Sequence, residues 1–325
     1  MIDLSLVSIV CTVFNQEEYV KAALDSVVNQ GYENFELIIL DNGSQDGSVA
    51  VIKSWLEQHQ SYRITFISLD STIGYCKAFN IGLERCKGAY VIDLSGDDLI
   101  CEGHLEKSIQ LLQGRSGVGF SFSNLTLFDD AGKLYPYYSL EEMKKMKLSV
   151  EQGDLYTAVI AGNPISASTA VFDLEILKGI GGYDESLSYE DFDVLVRLTR
   201  SHKALFSDHI GIQKRIHTNS YSQRQYMPRY SKMLPSTVKV CQKIKALNQT
   251  GAEDEALIRR VSYELKHAFM SANFEAAADL LSLLQSLSPN SLLAKVMPHA
   301  IGYRIDVSFF YPTITSIRSW VSKYF

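Results

Sequence analysis

The stretch Val91-Ile92-Asp93-Leu94-Ser95-Gly96-Asp97-Asp98-Leu99 opens as an apolar, β-rich run and ends on two adjacent carboxylates beside a glycine. Such a run reads as a buried strand. In an open α/β sheet, ligands bind beyond the carboxyl ends of the strands, which puts Asp97 and Asp98 at the mouth of a site. Side-by-side carboxylates repel, and a hard divalent cation relieves that repulsion. Mg²⁺ is typically held by one or two carboxylates, with substrate phosphates and water completing its shell. A turn followed by a helix N-cap accounts for the same residues, since Asp is favoured at both. A second acidic group, Glu190, Asp191 and Asp193, falls in the first turns of a predicted helix over Ser188 to Ser201, with Ser188 as its N-cap. Acids there suit the helix dipole. Phe192, Leu195, Val196 and Leu198 supply the buried face, so some of these carboxylates point elsewhere.

The elements that must position these groups follow from periodicity. Leu6 to Phe14 reads as a buried strand, Asn15 as an N-cap, and Gln16 to Gln30 as a helix with Val20, Ala23, Leu24, Val27 and Val28 on its apolar face. Phe35 to Leu40 is a second strand, and the polar loop Asp41-Asn42-Gly43-Ser44-Gln45-Asp46-Gly47-Ser48 lies at its carboxyl end. A helix over Val49 to Gln58, a strand over Tyr62 to Leu69, a helix over Gly74 to Arg85 with Lys77 near its start, and a strand over Ala89 to Leu94 follow. This alternation implies βαβ units and a parallel sheet. Three of the strands end in polar groups: Thr12 and Asn15, Asp41 and Asn42, Asp97 and Asp98. Three polar loops on one sheet edge point to a ligand site more than to three unrelated turns.

Further along, Gly117 to Phe128 reads as a strand and Asp129 to Lys133 as a hairpin turn. Leu134 to Asp154, with Tyr135, Tyr137 and Tyr138, reads as a surface insertion, and Asn163 to Phe172 as a strand along the site. From Met227 the pattern turns helical: Ala252 to Ala272 and Asn273 to Leu287 are amphipathic, and Pro289 is a stop. Tyr303 to Phe325 carries Phe309, Phe310, Arg318, Trp320, Lys323, Tyr324 and Phe325. That composition suits an interfacial membrane segment and equally a tail docked on the core.

Bulk properties narrow the function. The 325 residues suggest one large domain or two, and 46% of them are hydrophobic. A net charge of −6 argues against a dedicated nucleic-acid binder. The five cysteines, Cys11, Cys76, Cys86, Cys101 and Cys241, are odd in number and form no Cys-x-x-Cys pair. Neither a disulfide framework nor a zinc site is indicated, and a reducing, cytoplasmic setting fits. The N-terminus lacks the basic region of a signal peptide, and no apolar run is long enough to span a bilayer. The glycine fingerprints of dinucleotide-binding and P-loop proteins are missing.

With these residues in place, the chain resembles the inverting, GT-A-fold family 2 glycosyltransferases. The resemblance rests on Thr12-Val13-Phe14-Asn15-Gln16-Glu17-Glu18-Tyr19-Val20, on Asp41-Asn42-Gly43-Ser44-Gln45-Asp46, and on Gly74, Ala78, Asn80 and Gly82 followed by Gly88. It continues through Leu94-Ser95-Gly96-Asp97-Asp98 and Gly181-Gly182-Tyr183-Asp184-Glu185 to Glu190-Asp191. It spans residues 5–222 and implies an α/β, Rossmann-like mixed sheet flanked by helices. On that basis residues 1–225 form the transferase domain, with a nucleotide-sugar half over 1–125 and an acceptor half over 126–225. Residues 226–325 are a helical C-terminal extension.

The resemblance further implies transfer of a hexosyl or N-acetylhexosaminyl unit from a nucleoside diphosphate sugar, UDP-sugar favoured, to a glycan or lipid-linked glycan acceptor. The setting it implies is bacterial surface polysaccharide synthesis. Thr12, Phe14, Asn15, Asp41, Asn42, Lys77 and Asp97 are the implied nucleotide-sugar residues, with Phe14 stacked on the base. Asp97, Asp98 and His217 are the implied ligands of Mg²⁺ or Mn²⁺, Asp191 the implied general base and Glu190 its neighbour. No nucleic acid is expected; a homodimer and peripheral contact with the inner face of the membrane through the tail stay open. Two departures matter: Ser95 stands at the first acid of the usual D-x-D, and Asn42 replaces a common aspartate. A metal-dependent nucleotidyltransferase and a non-catalytic nucleotide-sugar-binding module are the alternatives. The former would want a basic phosphate loop near the first strand, which is missing, and fold alone does not decide the latter.

Overall fold

The computed structural model describes residues 5–153, 155–162, 164–216 and 224–311. The chain divides into two compact units: residues 1–159 with 163–217, and residues 160–162 with 218–325. In the first, β1 (Val7–Val13), α1 (Val20–Val28), β2 (Phe35–Asp41), α2 (Ser48–Gln58), β3 (Ile64–Ser68), α3 (Tyr75–Arg85) and β4 (Tyr90–Ser95) alternate as the periodicity predicts. Then come β5 (Leu99–Ile100), α4 (His104–Leu112), β6 (Val118–Phe128), β7 (Leu134–Pro136), α5 (Leu140–Gln152), α6 (Leu155–Gly162), β8 (Val171–Asp173), α7 (Leu174–Gly179), α8 (Asp191–Ser201) and β9 (Lys203–Arg215).

The strands form one mixed sheet in the order β3-β2-β1-β4-β8-β6-β9-β5, with β7 on β6. β3, β2, β1 and β4 are mutually parallel, whereas β8 runs antiparallel to both β4 and β6. β1 is buried along its whole length, as expected of a strand covered on both faces. Val20, Leu24 and Val27 of α1 join Ile9, Cys11, Leu37, Ile39 and Ile92 of the sheet in one apolar cluster.

Several local expectations change. α1 starts at Val20, not Gln16, and Asn15 is no N-cap; its backbone is left-handed, with φ of 51°. The N–H groups of Asn15, Gln16 and Glu17 bond instead to Ser44 Oγ, Ser48 Oγ and Asp46 Oδ2, at 2.9, 2.8 and 3.1 Å. α8 starts at Asp191 with Glu190 at the N-cap position, so Ser188 does not cap it. Asn163 to Phe172 is not a strand throughout: Ala167–Thr169 is a 3₁₀ turn and pairing begins only at Val171. The insertion after β7 holds the helix α5, closed by a capping box between Ser139 and Glu142.

The second unit contains α9 (Leu234–Leu247), α10 (Gly251–Met270), α11 (Phe274–Leu287) and α12 (Leu292–Gly302). Thr250 and Glu253 cap α10. Leu257, Val261 and Leu265 of α10 and Leu280 and Leu284 of α11 are fully buried. Inside this unit Glu264 accepts from Arg260 and from the Tyr226 hydroxyl at 3.0 and 2.9 Å, so its buried carboxylate is paired. No helix among the described residues is long and apolar enough to cross a membrane. Most of the tail that reads as interfacial or docked, residues 312–325, lies outside the described residues.

The cysteines are all free, and of them only Cys101, between β5 and α4, is not fully buried. Beside it, His104 Nδ1 lies 2.9 Å from His209 Nε2, and His209 Nδ1 lies 2.9 Å from Ser207 Oγ. Burial, then each other's proximity and Lys107, holds His104 down to about 3; burial and Lys107 hold His209 down to about 4. In the unfolded chain both titrate near 6.5. The unfolded state therefore takes up protons first as the pH falls. The pair's contribution to stability is complete above about 6.5 and is lost progressively towards pH 4. Replacing His104 by Gln removes one of these protons. Urea titrations from pH 6.5 to 4.5 should show a parent-minus-variant slope approaching about 1.4 kcal/mol per pH unit. Parallel curves for the two proteins would contradict it.

Candidate active site

The end of β1 and the loops after β2 and β3 are laced by polar side chains. Asn42 uses both ends of its amide: Nδ2 donates to Ile73 O and Oδ1 accepts from Ile73 N–H, each at 2.9 Å. Gly43 follows at φ of +72°, where a Cβ would lie 2.4 Å from the backbone of Ser71, so only glycine fits. Glu17 reaches back to Gly47 N–H at 2.6 Å. Within this frame Asp41 Oδ2 accepts from Ser44 N–H at 3.2 Å, while Asp41 Oδ1 and Thr12 Oγ1 are buried without a hydrogen-bond partner. Phe14 stands at the same strand end and is 44% exposed, unusual for a large apolar ring. Lys77 is exposed on the first turn of α3.

The acidic end of β4 is built differently. Asp93, inside the strand, accepts from the hydroxyls of Tyr75 and Tyr183 at 2.8 and 2.9 Å. Burial raises its pKa, against those bonds and the charge of Lys214. Asp97 is half-buried and its Oδ1 accepts from Ser95 Oγ at 2.5 Å. Thus Ser95, standing at the first acid of the usual motif, orients the second. Asp98 is 4% exposed. Its Oδ1 accepts from Arg215 N–H at 2.9 Å, and burial pushes its carboxyl up to about 7 despite Lys214. Arg215 also donates Nε to Asp97 O at 3.3 Å, with its guanidinium 4.3 Å from the ring centres of both Tyr19 and Phe128. Gly96 lets this loop close: a Cβ there would meet Gln16 Oε1 at 2.6 Å.

The third part is the turn before α8. Asn80 repeats the device of Asn42: Oδ1 accepts from Tyr183 N–H and Nδ2 donates to Tyr183 O, at 2.9 and 2.8 Å. The Tyr183 ring stacks on Phe79 with centroids 4.1 Å apart. Of the three acids, Asp193 is 2% exposed and pairs with Arg197 at 2.7 Å. Arg197 in turn donates to Ile180 O and Gly182 O. Asp193 therefore holds the glycine turn against α8. Asp191 accepts from Phe192 N–H at 2.6 Å. Burial, then the charges of Asp191 and Asp93, raises the pKa of Glu190.

Lys214, in β9, connects these parts. Burial opposes its charge, but Asp98, the Tyr137 phenol, Asp191 and Glu190 outweigh burial and raise its pKa. The acids after β4 and those at the start of α8 thus all favour the charge of one ammonium. His217, expected beside them, lies outside the described residues. Among the described residues no group of three or more His, Cys, Asp or Glu side chains converges on one metal position. The hard oxygens of Asp97 and Asp98 suit Mg²⁺ or Mn²⁺ when phosphate oxygens complete the shell. Sequence reasoning missed Lys214, Arg215, Asp93 and Tyr183. Asp93 left a trace as an acid inside an apolar strand, and Tyr183 stood unassigned within the Gly181–Glu185 motif.

Residues 8–155 match the model of the family described as Glycosyl transferase family 2. An uncharacterized glycosyltransferase of Haemophilus influenzae is 28% identical over 176 residues, 54% of this chain and 65% of that protein. The putative teichuronic acid biosynthesis glycosyltransferase TuaG of Bacillus subtilis is 32% identical over 127 residues, 39% of this chain and 49% of that protein. The chain thus spans less than two thirds of the length of these relatives. S. aureus TarS 1–349 in complex with UDP-GlcNAc superposes with a TM-score of 0.68 at 15% identity, covering 94% of this chain and 91% of that one. The mannosyltransferase PcManGT from Pyrobaculum calidifontis, in complex with GDP-Man and Mn²⁺, gives 0.62 at 16% identity over 97% and 84%. Identities this low establish a shared fold, here GT-A.

The geometry separates the neighbouring acids by role. Asp193→Ala removes a charge-assisted hydrogen bond to the partly exposed Arg197 and should lower stability by about 1.5–3 kcal/mol. Asp191→Asn should leave stability within about 0.5 kcal/mol. Denaturant unfolding of both variants checks the contrast, and equal losses would refute it.

Proposed function

We propose that the protein, whose residues 8–155 match the model of glycosyl transferase family 2, transfers a sugar, with inversion, from a nucleoside diphosphate sugar to an acceptor hydroxyl. The observation that carries this reading is the Tyr183 hydroxyl donated to Asp93 of β4 at 2.9 Å, which ties the strand ending in Asp97 and Asp98 to the turn that leads into Glu190 and Asp191. Donor chemistry and acceptor chemistry need such adjoining acidic sites.

On the donor side, exposed Phe14 offers its ring to the base, and Thr12, Asn15 and Asp41 line the neighbouring strand ends. The unpartnered Asp41 Oδ1 needs a hydrogen-bond donor. Uracil presents an imide N–H, whereas the corresponding nitrogen of cytosine is an acceptor and would be repelled. On this ground a uracil or guanine base is favoured over cytosine, and UDP-sugar is the donor we propose. Asn42, with its amide committed to Ile73, serves by holding the loop. Lys77 is assigned to the donor phosphates. Asp97 and Asp98 would hold Mg²⁺ or Mn²⁺, which when bound neutralises the leaving diphosphate as a Lewis acid.

On the acceptor side, Glu190 and Asp191 are adjacent carboxyls that resist ionising together. Glu190, whose pKa desolvation and the charges of Asp191 and Asp93 raise, is assigned the proton, and Asp191 the charge. Asp191 then takes the proton of the acceptor hydroxyl as that oxygen attacks the anomeric carbon. The bond from that carbon to the diphosphate breaks on the opposite face, and the electron pair leaves with the phosphate oxygen. Lys214 keeps the acidic groups tolerable to one another while the site is empty of cation. We assign residues 1–225 to this chemistry and 226–325 to a helical extension. A glycan or lipid-linked glycan of a surface polysaccharide is the acceptor class that fits the relatives' names.

The test is incubation with a panel of nucleotide sugars and Mn²⁺, reading nucleoside diphosphate release, alongside calorimetric donor titration. Asp191→Asn should slow transfer by about 10²–10⁴-fold and leave donor affinity within about twofold, or ~0.4 kcal/mol. EDTA should abolish donor binding, as should removal of both carboxylates by Asp97→Ala with Asp98→Ala. Normal turnover in Asp191→Asn, with loss in Glu190→Gln, would move the base to Glu190. Donor affinity indifferent to EDTA would remove the cation from the scheme.

A further inference from the structure

We propose that one end of the helical second unit is a docking surface for an anionic lipid bilayer. Met227, Tyr230, Tyr303, Ile305, Phe309 and Phe310 are its inserting side chains, and cations surround them. The surface lies wholly within the second unit and does not depend on the sugar-transfer reading.

Two segments meet at this end. Arg229 donates through Nε and Nη2 to Asp306 Oδ2 at 2.9 and 2.7 Å, and its N–H bonds to Ser271 O, just past α10, at 2.8 Å. Met227 and Tyr230 flank that arginine, and Ile305 precedes the aspartate. Phe309 and Phe310 follow on the 3₁₀ turn Ser308–Phe310, with ring centroids 5.5 Å apart. Tyr303 ends α12, whose buried side is Ala294, Met297 and Ile301. Beneath, Tyr226 stacks on His267 at 4.7 Å, and His267 Nδ1 lies 2.8 Å from the Tyr311 hydroxyl, so both segments are anchored to α10. Phe309, Tyr303 and Tyr230 are nevertheless 86%, 79% and 74% exposed, and Met227, Ile305 and Phe310 are exposed too. Single exposed apolar residues are ordinary; a gathered group of them marks an interaction site.

Charge selects the partner. The whole chain carries a net charge of −6. Residues 224–233 and 303–325 run the other way: Arg224, Arg229, Lys232, Arg304, Arg318 and Lys323 stand against Asp306 alone. Arg304 pairs with Glu275 at 2.7 Å, and its guanidinium lies 6.0 Å from the centre of the Phe274 ring. Phe274 in turn meets Phe269 at 6.3 Å, and Phe269 lines a cleft of about 570 Å³ that adds the cations Arg259 and Lys266. Aromatic rings with cations beside them make an interfacial anchor, and each Lys or Arg near an anionic leaflet strengthens the attraction. A second copy of this chain fits less well, because a two-fold interface sets the same patch on both sides and would bring cation against cation.

Co-sedimentation of the full chain with lipid vesicles tests this. Binding to a two-to-one mixture of phosphatidylcholine and phosphatidylglycerol should exceed binding to phosphatidylcholine alone by about tenfold or more, and should weaken as sodium chloride is added. Phe309→Ser with Phe310→Ser should weaken binding to the mixed vesicles by about tenfold or more. Arg224→Gln with Lys232→Gln should weaken it by about fivefold or more. Circular dichroism reports whether each variant folds; if the phenylalanine pair does not, the Arg224 and Lys232 pair decides. Failure of the parent chain to sediment with the mixed vesicles overturns the proposal, as does equal binding to both vesicle types or undiminished binding in either folded variant. Analytical ultracentrifugation covers the remaining occupant: a parent dimer made monomeric by Phe309→Ser with Phe310→Ser would assign the patch to a second copy and overturn the proposal too.

Discussion

Four carboxyls, Asp93, Asp98, Glu190 and Asp191, are electrostatically coupled to one buried ammonium, Lys214, and the rest of the first unit answers to that charge problem. Ionised carboxyls brought this close and out of water would drive the loops apart. The protein meets this in three ways. Burial lifts Asp98 to about 7 and raises Glu190, so both accept protons readily. Two tyrosine hydroxyls satisfy Asp93. Lys214 supplies the remaining positive charge. A site balanced like this is poised to exchange protons for a cation, because the same oxygens serve both.

Positioning is done by amides and backbone, not by bulk. Asn42 and Asn80 lie far apart in the chain, yet each closes a two-bond ring with the backbone of one residue in a distant loop, Ile73 and Tyr183. An asparagine in this geometry mimics a strand partner, donating and accepting at once. Each clamp sits beside a left-handed glycine, Gly43 or Gly182, that no Cβ could occupy without meeting its surroundings. The loops that carry the chemistry are therefore pinned by side-chain amides as well as by backbone. That suits a site whose groups must hold within a fraction of an ångström.

Much of this was legible in the sequence, and unevenly so. β1 to β4 and their helices announce themselves by period, because each buries a continuous apolar run. β5, β7 and β8 hold two or three residues apiece and are strands only because neighbours pair with them. The helix expected over Gln16 to Gln30 lost its first turn to hydrogen bonds with a loop far along the chain, which no local pattern encodes. At the site, the acidic pairs and glycine turns showed as motifs. Lys214 did not, since in Gln213-Lys214-Arg215 it reads as an ordinary basic strand end. Its meaning comes from the register that sets β9 against β5 and brings Arg215 N–H onto Asp98. The histidine pair was invisible for the same reason: His104 and His209 meet only through the packing of α4 on β9.

The cysteines give the molecule a practical property. Cys11, Cys76, Cys86 and Cys241 are sealed in the interior, while Cys101 is partly open and its N–H is bonded to Gly211 O at 2.8 Å, just past Asp97 and Asp98. Burial raises the Cys101 thiol and Lys107 lowers it in part, so it alkylates slowly at neutral pH and faster as the solution is made basic. The unmodified chain therefore carries a single addressable attachment point for a fluorophore or spin label, one short strand away from the acidic loop. A reporter placed there would register movements of that loop without any engineering of the surrounding sequence.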